Sequence, residues 1–117
     1  MSTSQVRLFD SHTHLLPAYF GDELPAARQR AQAAGVQQML IVGAGGPDTS
    51  GEGGVRDPEE RMRGIAAEAL AQAEADPGAW AAVGLHPHDA ALGAEAVVAV
   101  IRAAARHPRV LAIGEAG

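Results

Sequence analysis

The chain has 117 residues, enough for one domain with a single core, and a formal net charge of −5. All nine basic residues are arginines scattered along the chain, which argues against a basic tract for non-specific nucleic-acid binding. Cysteine is absent, excluding disulfides and thiolate chemistry, and no apolar leader or membrane-length apolar run occurs, so we expect a soluble, cytoplasmic protein.

Apolar runs and helix signals alternate along the chain. Four strands are predicted, at residues 6–9, 39–42, 80–85 and 110–113. Three helices are predicted between them, over 22–35, 57–76 and about 94–106. This β-α-β-α-β-α-β order implies right-handed crossovers and an α/β fold with a parallel sheet.

Local signals refine two of these segments. Residues 43–56 hold six glycines and are predicted to form a flexible surface loop. The helix that follows is expected to begin with Asp57 as N-cap, Pro58 at N1 and Glu60 in a capping box. In the last helix we expect an inward stripe at Val97, Val98, Ile101 and Ala105.

Three polar side chains alternate at the end of the first predicted strand. Asp10, His12 and His14 occupy every second position, so they can share one face. Two imidazoles at this spacing can bind one divalent ion, and the Asp10 carboxylate could orient one of them. The alternative is that the histidines are ordinary surface residues, because a lone H-x-H is a weak motif.

Further candidate ligands follow the third and fourth predicted strands. His86 and His88 form a second H-x-H around Pro87, and Glu115 lies between small residues after the fourth strand. A strand-ending turn and a solvated glutamate are the plain alternatives. His107, which ends a helix, is interpreted as structural. Since ligands bind at the carboxyl ends of parallel strands, the coincidence of three such positions favours a metal site.

Three strings carry a family resemblance. They are Phe9-Asp10-Ser11-His12-Thr13-His14-Leu15, Val83-Gly84-Leu85-His86-Pro87-His88 and Ala112-Ile113-Gly114-Glu115-Ala116-Gly117. In order and spacing the chain resembles the TatD family of metal-dependent deoxyribonucleases, within the amidohydrolase-like superfamily of (β/α)8 barrels. The resemblance covers residues 6–117.

The resemblance implies a partial (β/α)8 barrel and a two-metal hydrolase of phosphodiester bonds in DNA or a small substrate. By this reading His12 and His14 bind the first ion and Glu115 bridges both. His86 would lie near the scissile phosphate, with His88 supporting that turn. Zinc, magnesium and manganese all remain open as the divalent ions.

Two features depart from the family pattern. The loop at 43–56 is longer and richer in glycine than we expect. The family barrel also needs about 250 residues. We therefore expect residues 1–117 to be the N-terminal half of a truncated barrel that is inactive alone. Its general base is expected in the missing C-terminal half, so no catalytic residue is assigned.

Two other readings remain. With 26 alanines the core buries little area, and a half-barrel would have open sheet edges, so the chain could instead be a non-catalytic module that dimerises or binds a partner. A different amidohydrolase-like hydrolase, or one resembling polymerase and histidinol phosphatases, would also open with H-x-H. The G-x-H-P-H and G-E-x-G strings argue against that option.

Overall fold

The computed structural model of the chain describes residues 6–44, 57–92 and 95–116. Its strands are β1 (Leu8–Thr13), β2 (Val36–Gly43), β3 (Ala79–Val83) and β4 (Val110–Ile113). Its helices are α1 (Pro17–Phe20), α2 (Leu24–Ala33), α3 (Pro58–Ala75) and α4 (Glu95–Ala104). Two 3-10 turns, Gly21–Glu23 and Pro87–Leu92, complete the described elements.

The four strands form one parallel sheet in the order β1-β2-β3-β4. Each strand lies beside its sequence neighbour and is joined to it through a helical segment, as right-handed crossovers require. This confirms the predicted α/β class and is consistent with a partial (β/α)8 barrel. Within the described residues, β1 and β4 are the two edges of the sheet.

The first and third strands differ from their predicted bounds. β1 begins at Leu8 and continues through Asp10 and His12 to Thr13, which pairs with Ile41. The apolar pattern missed this extension because pairing with β2 holds polar residues in the strand. β3 ends at Val83 rather than at residue 85, and the chain then turns so that the His86 N–H donates to the Ala44 carbonyl.

The helix starts also differ in detail. α2 begins at Leu24, after the 3-10 turn Gly21–Glu23, and not with a cap at Asp22. Asp57 occupies the N-cap position of α3 as predicted, but its side chain makes no capping hydrogen bond. α1 was not predicted, since a four-residue helix has no detectable periodicity.

Two apolar clusters pack within this fold. The larger contains Met39 and Ile41 of β2, alanines of α3 and β3, and the pair Leu15 and Leu16. The smaller contains Val42, Ala44 and Ala82. Because alternate residues of β2 enter different clusters, the sheet packs on both faces.

The last helix buries less than its pattern predicted. Val97 of α4 is buried, but Val98 is 45% exposed, so its predicted inward orientation is wrong. A stripe of Met62, Ala66, Ala69 and Ala73 is buried on α3. The three alanines let α3 lie close to the sheet, which positions the β3 end carrying His86.

The glycine-rich segment begins later than predicted. Gly43 is the last residue of β2, and Ala44 is buried. The remainder of the predicted loop, residues 45–56, lies outside the described residues. Among the residues that are described, no helix combines the length and apolar character needed to cross a membrane.

Candidate metal centre

The carboxyl ends of the strands bring the predicted residues to one edge of the sheet. His12 is in β1 and His14 follows it, His86 follows β3 and Glu115 follows β4. Parallel pairing forces these ends to the same side, although the residues are far apart in sequence. The expected convergence of the first and third motifs is therefore observed.

His12, His14 and Glu115 form a cluster whose ligand atoms all lie within 4.8 Å of one another. Nε2 of His12 lies 3.3 Å from Nε2 of His14. Oε2 of Glu115 lies 3.5 Å from the His12 nitrogen and 3.7 Å from that of His14. The three side chains thus bring two imidazole nitrogens and one carboxylate oxygen to a common point.

The main chain sets the tautomer of His14. Its Nδ1 lies 3.3 Å from the carbonyl oxygen of Val42, at the end of β2. A carbonyl can only accept, so in this contact Nδ1 carries the proton and Nε2 keeps its lone pair toward the cluster. Histidines that bind metals are commonly oriented through such a contact of the other ring nitrogen.

The spacing of these atoms fits a divalent ion. Two imidazole nitrogens bound at about 2.0–2.1 Å to a tetrahedral ion lie about 3.3 Å apart, the separation between His12 and His14. The slightly longer distances from Glu115 Oε2 to the two nitrogens suit a wider oxygen–metal–nitrogen angle or a larger ion. The donor set of two imidazoles and a carboxylate suits zinc and also manganese.

Glu115 also faces a third histidine. Its Oε1 lies 3.6 Å from Nε2 of His86, whereas its Oε2 faces His12 and His14. The carboxylate therefore lies between the His12–His14 pair and the single imidazole of His86, with one oxygen toward each.

The turn that carries His86 is held by backbone hydrogen bonds on both sides. The His86 N–H donates to the Ala44 carbonyl at 2.8 Å, and the His86 carbonyl accepts from the Asp89 N–H at 2.8 Å. Asp89 in turn pairs with Arg61 of α3 at 3.2 Å. The side chain of His88, predicted to support this turn, lies outside the described part of the structure.

Asp10 acts on the site through the main chain. Its Oδ1 accepts the His12 backbone N–H at 3.1 Å. This contact holds the backbone of β1 at His12. The predicted role of Asp10 in orienting an imidazole stays a prediction. His107, interpreted as structural, pairs with Glu74 of α3 at 2.7 Å and accepts the Arg109 N–H.

Two residues next to the cluster were not predicted from the sequence. The ring of Tyr19 in α1 lies 5.4 Å from the ring of His14, between centroids. Gly84 lies against the backbone of Gly114 and Glu115. A single tyrosine two residues after a proline carries no pattern, whereas the glycine in the G-x-H-P-H string was a signal that could have indicated a close approach.

Comparison with known families gives one match over most of the chain. The family model described as TatD related DNase matches residues 9–117. The matched range contains all residues of the cluster, together with His86 and Tyr19.

Curated relatives agree with this match. The 3'-5' ssDNA/RNA exonuclease TatD of Musicola paradisiaca (strain Ech703) is 35% identical over 111 residues, which is 94% of this chain and 36% of the relative. The protein of the same name from Klebsiella pneumoniae (strain 342) is 32% identical over 110 residues, or 94% and 35%. The uncharacterized metal-dependent hydrolase YabD of Bacillus subtilis (strain 168) is 30% identical over 110 residues, or 94% and 36%. The chain thus spans about a third of the length of the curated relatives it matches.

Proposed function

Because the chain belongs to the TatD-related DNase family, we propose that it forms part of a divalent-metal-dependent hydrolase that cleaves phosphodiester bonds in DNA. Relatives named as ssDNA/RNA exonucleases and as a metal-dependent hydrolase support this class of reaction. The observation that carries the proposal is the convergence of His12, His14 and Glu115 within 4.8 Å at the carboxyl edge of the sheet.

In this proposal His12 and His14 hold one ion through their Nε2 atoms, and Glu115 completes the set through Oε2. The Val42 carbonyl keeps His14 in the tautomer that binds. Divalent ions in such sites activate a water and stabilise the oxygens of the phosphodiester. Zinc and manganese fit the donors best, and magnesium fits the carboxylate but not the imidazoles.

The other side of Glu115 faces the substrate or a second ion. Oε1 lies 3.6 Å from His86, which we assign to a phosphate oxygen of the substrate, with His88 supporting the turn. Among the described residues, no further histidine or carboxylate joins the three-residue ligand cluster. A second ion and a general base therefore need donors from elsewhere, and we expect the 117-residue chain alone to have little or no nuclease activity.

Isothermal titration calorimetry with Zn²⁺ and Mn²⁺ tests the site directly. We expect about one ion per chain, because the described donors complete one ligand set. Binding should be lost in His12→Ala and strongly weakened in Glu115→Gln, which keeps the shape but removes the charge. His107→Ala is the matched control, since that imidazole pairs with Glu74 and lies outside the cluster.

Two results would contradict the proposal. Metal binding that is indifferent to both His12→Ala and Glu115→Gln would show that the cluster is not the site. Strong nuclease activity of the purified chain, abolished by EDTA, would show instead that the described donors suffice and that the expected inactivity is wrong.

A second candidate is a non-catalytic half-barrel that associates with another copy. It is favoured by large apolar side chains left exposed on both edge strands, Leu8 and Phe9 on β1 and Leu111 and Ile113 on β4. Pairing β1 of one copy with β4 of the other would close eight strands and place two clusters at one rim. A folded, monodisperse monomer in sedimentation would contradict it.

A further inference from the structure

An aromatic ring lies exposed beside the candidate metal ligands. Tyr19 is 47% exposed, and its ring centroid lies 5.4 Å from that of His14, with the two planes tilted by 33°. About half of the side chain is therefore accessible to a flat partner. We propose that Tyr19 stacks on a nucleobase of the substrate nucleotide whose phosphate is held at the His12–His14–Glu115 cluster, an inference that rests on the proposed function.

The position of the ring is fixed by the same segment that fixes the ligand. The Leu16 N–H donates to the His14 carbonyl at 2.8 Å, and the Leu16 carbonyl accepts the Tyr19 N–H at 3.0 Å. Leu15 and Leu16 are buried in the larger core cluster. Two buried leucines thus lie between His14 and Tyr19 in the chain. A base stacked on Tyr19 therefore lies at a defined distance from the metal cluster.

The charge of the chain favours such a contact. With a net charge of −5 and scattered arginines, the protein gains little from phosphate neutralisation and counterion release. Single-stranded nucleic acid is otherwise held by base stacking on aromatic side chains, which tolerates any sequence. Of the four aromatic residues, Trp80 is covered by the Arg109 guanidinium at 3.8 Å, and Phe9 and Phe20 are 49% and 38% exposed. Tyr19 is singled out by its ring contact with the candidate ligand His14.

The distance to the cluster favours a base over other flat groups. One sugar separates the phosphate of a nucleotide from its base, and one ring contact separates the ligand His14 from Tyr19. With 47% of Tyr19 exposed, the ring has surface for a second flat group besides the imidazole. We infer that a nucleotide bound by its phosphate at the cluster reaches this surface with its own base.

Fluorescence anisotropy of labelled single strands tests the assignment, with Mn²⁺ present and uncleavable phosphorothioate linkages. The probes are a short oligothymidylate and a strand of equal length made of abasic sites, which has the same phosphates but no bases. We expect wild type to prefer the thymidylate by about tenfold. Tyr19→Ala and Tyr19→Leu should remove that preference and leave abasic binding unchanged, while Tyr19→Phe should keep it.

Each outcome separates the base contact from the metal site. A wild-type chain that binds both probes equally, or a preference that survives in Tyr19→Ala and Tyr19→Leu, would overturn the stacking role. Calorimetry with Mn²⁺ on the same samples reports the metal site independently. Failure of metal binding counts against the proposed function, whereas metal binding with no base preference counts against Tyr19 alone. Thermal melting by circular dichroism confirms that each variant is folded.

Discussion

Gly84 lies in direct contact with the backbone that presents Glu115. A Cβ added at Gly84 would lie 2.9 Å from the Gly114 carbonyl carbon and 3.0 Å from the Glu115 carbonyl oxygen. Both values are below the usual approach of a Cβ, and backbone cannot move aside as a flexible side chain can. The missing side chain at Gly84 thus lets the end of β4 close onto the end of β3, where His86 faces the Glu115 carboxylate at 3.6 Å.

Gly84→Ala should therefore weaken metal binding through displacement of Glu115. We expect the affinity for Zn²⁺ to fall by about 10–100-fold, the usual range when a group that positions a ligand is lost. His12 and His14 stay in place, so weak binding should remain. Titration calorimetry on the purified variant gives the affinity.

The matched control for this change is Gly114→Ala. A Cβ at Gly114 meets nothing within 4 Å, so the same added methyl should leave the affinity within about twofold, by analogy with other surface changes. Equal losses in both variants would show that the effect is general loosening of the β4 end. An unchanged affinity in Gly84→Ala would show that Glu115 does not depend on this approach.

A change at Asp10 distinguishes two ways of supporting a ligand. Because its carboxylate accepts the His12 backbone N–H, Asp10→Asn keeps an acceptor at that position. We expect Zn²⁺ affinity to change by less than about tenfold, whereas loss of a carboxylate bound to an imidazole costs about 10–100-fold. A larger loss of Zn²⁺ affinity in calorimetry would support the prediction that the Asp10 carboxylate orients an imidazole.

The residues of the candidate cluster could be identified from the sequence because their signal is local. Each H-x-H and the glutamate stands where an apolar run ends, and the rule that parallel strands present ligands at their carboxyl ends joins them. The alternation of strands and helices likewise predicted the parallel sheet. Val98 was misassigned since helical spacing alone does not say how wide a buried stripe is.

Contacts between distant residues could not be predicted in this way. Arg28 of α2 binds the carboxylate of Asp76, 48 positions later, and also donates to the Val36 carbonyl at 3.0 Å. Nothing in either local sequence identifies the partner. The approach of Gly84 to the backbone of Glu115 likewise depends on tertiary packing.

The pair of Arg28 and Asp76 should make stability fall in acid. The hydrogen bond from Arg28 lowers the pKa of Asp76 below its usual 3.8; burial opposes this shift, and the Gly78 N–H supports it. A carboxyl whose pKa is lower in the folded state stabilises the fold fully above about pH 4. That contribution is lost as the pH falls from 3.8 through the lower folded value.

Asp76→Asn should accordingly lower the free energy of unfolding at neutral pH by about 1.5–3 kcal/mol, the range for hydrogen bonds to charged groups. The difference from wild type should shrink toward about pH 3. Urea unfolding at both pH values measures it. Glu59→Gln is the control, because its pair with Arg63 on α3 is exposed and should contribute less than about 0.5 kcal/mol. A pH-independent difference would contradict the role assigned to the charge.

The edge strands provide the last prediction, which concerns self-association. Leu111 of β4 is 55% exposed on a strand whose outer side pairs with nothing in the described structure. If two copies close a barrel, sedimentation velocity should show a species of twice the mass that grows with concentration. Leu111→Lys should abolish it, because a lysine on an edge strand opposes strand pairing.

Val98→Lys provides the matched comparison for this experiment. Val98 is similarly exposed but lies on the helix α4 and not on an edge strand. The Val98→Lys variant should therefore associate as wild type does, since β1 and β4 remain free to pair. Loss of the dimer in both variants would point to a general effect of charge. A wild-type chain that stays monomeric at every concentration would contradict self-association through the edge strands.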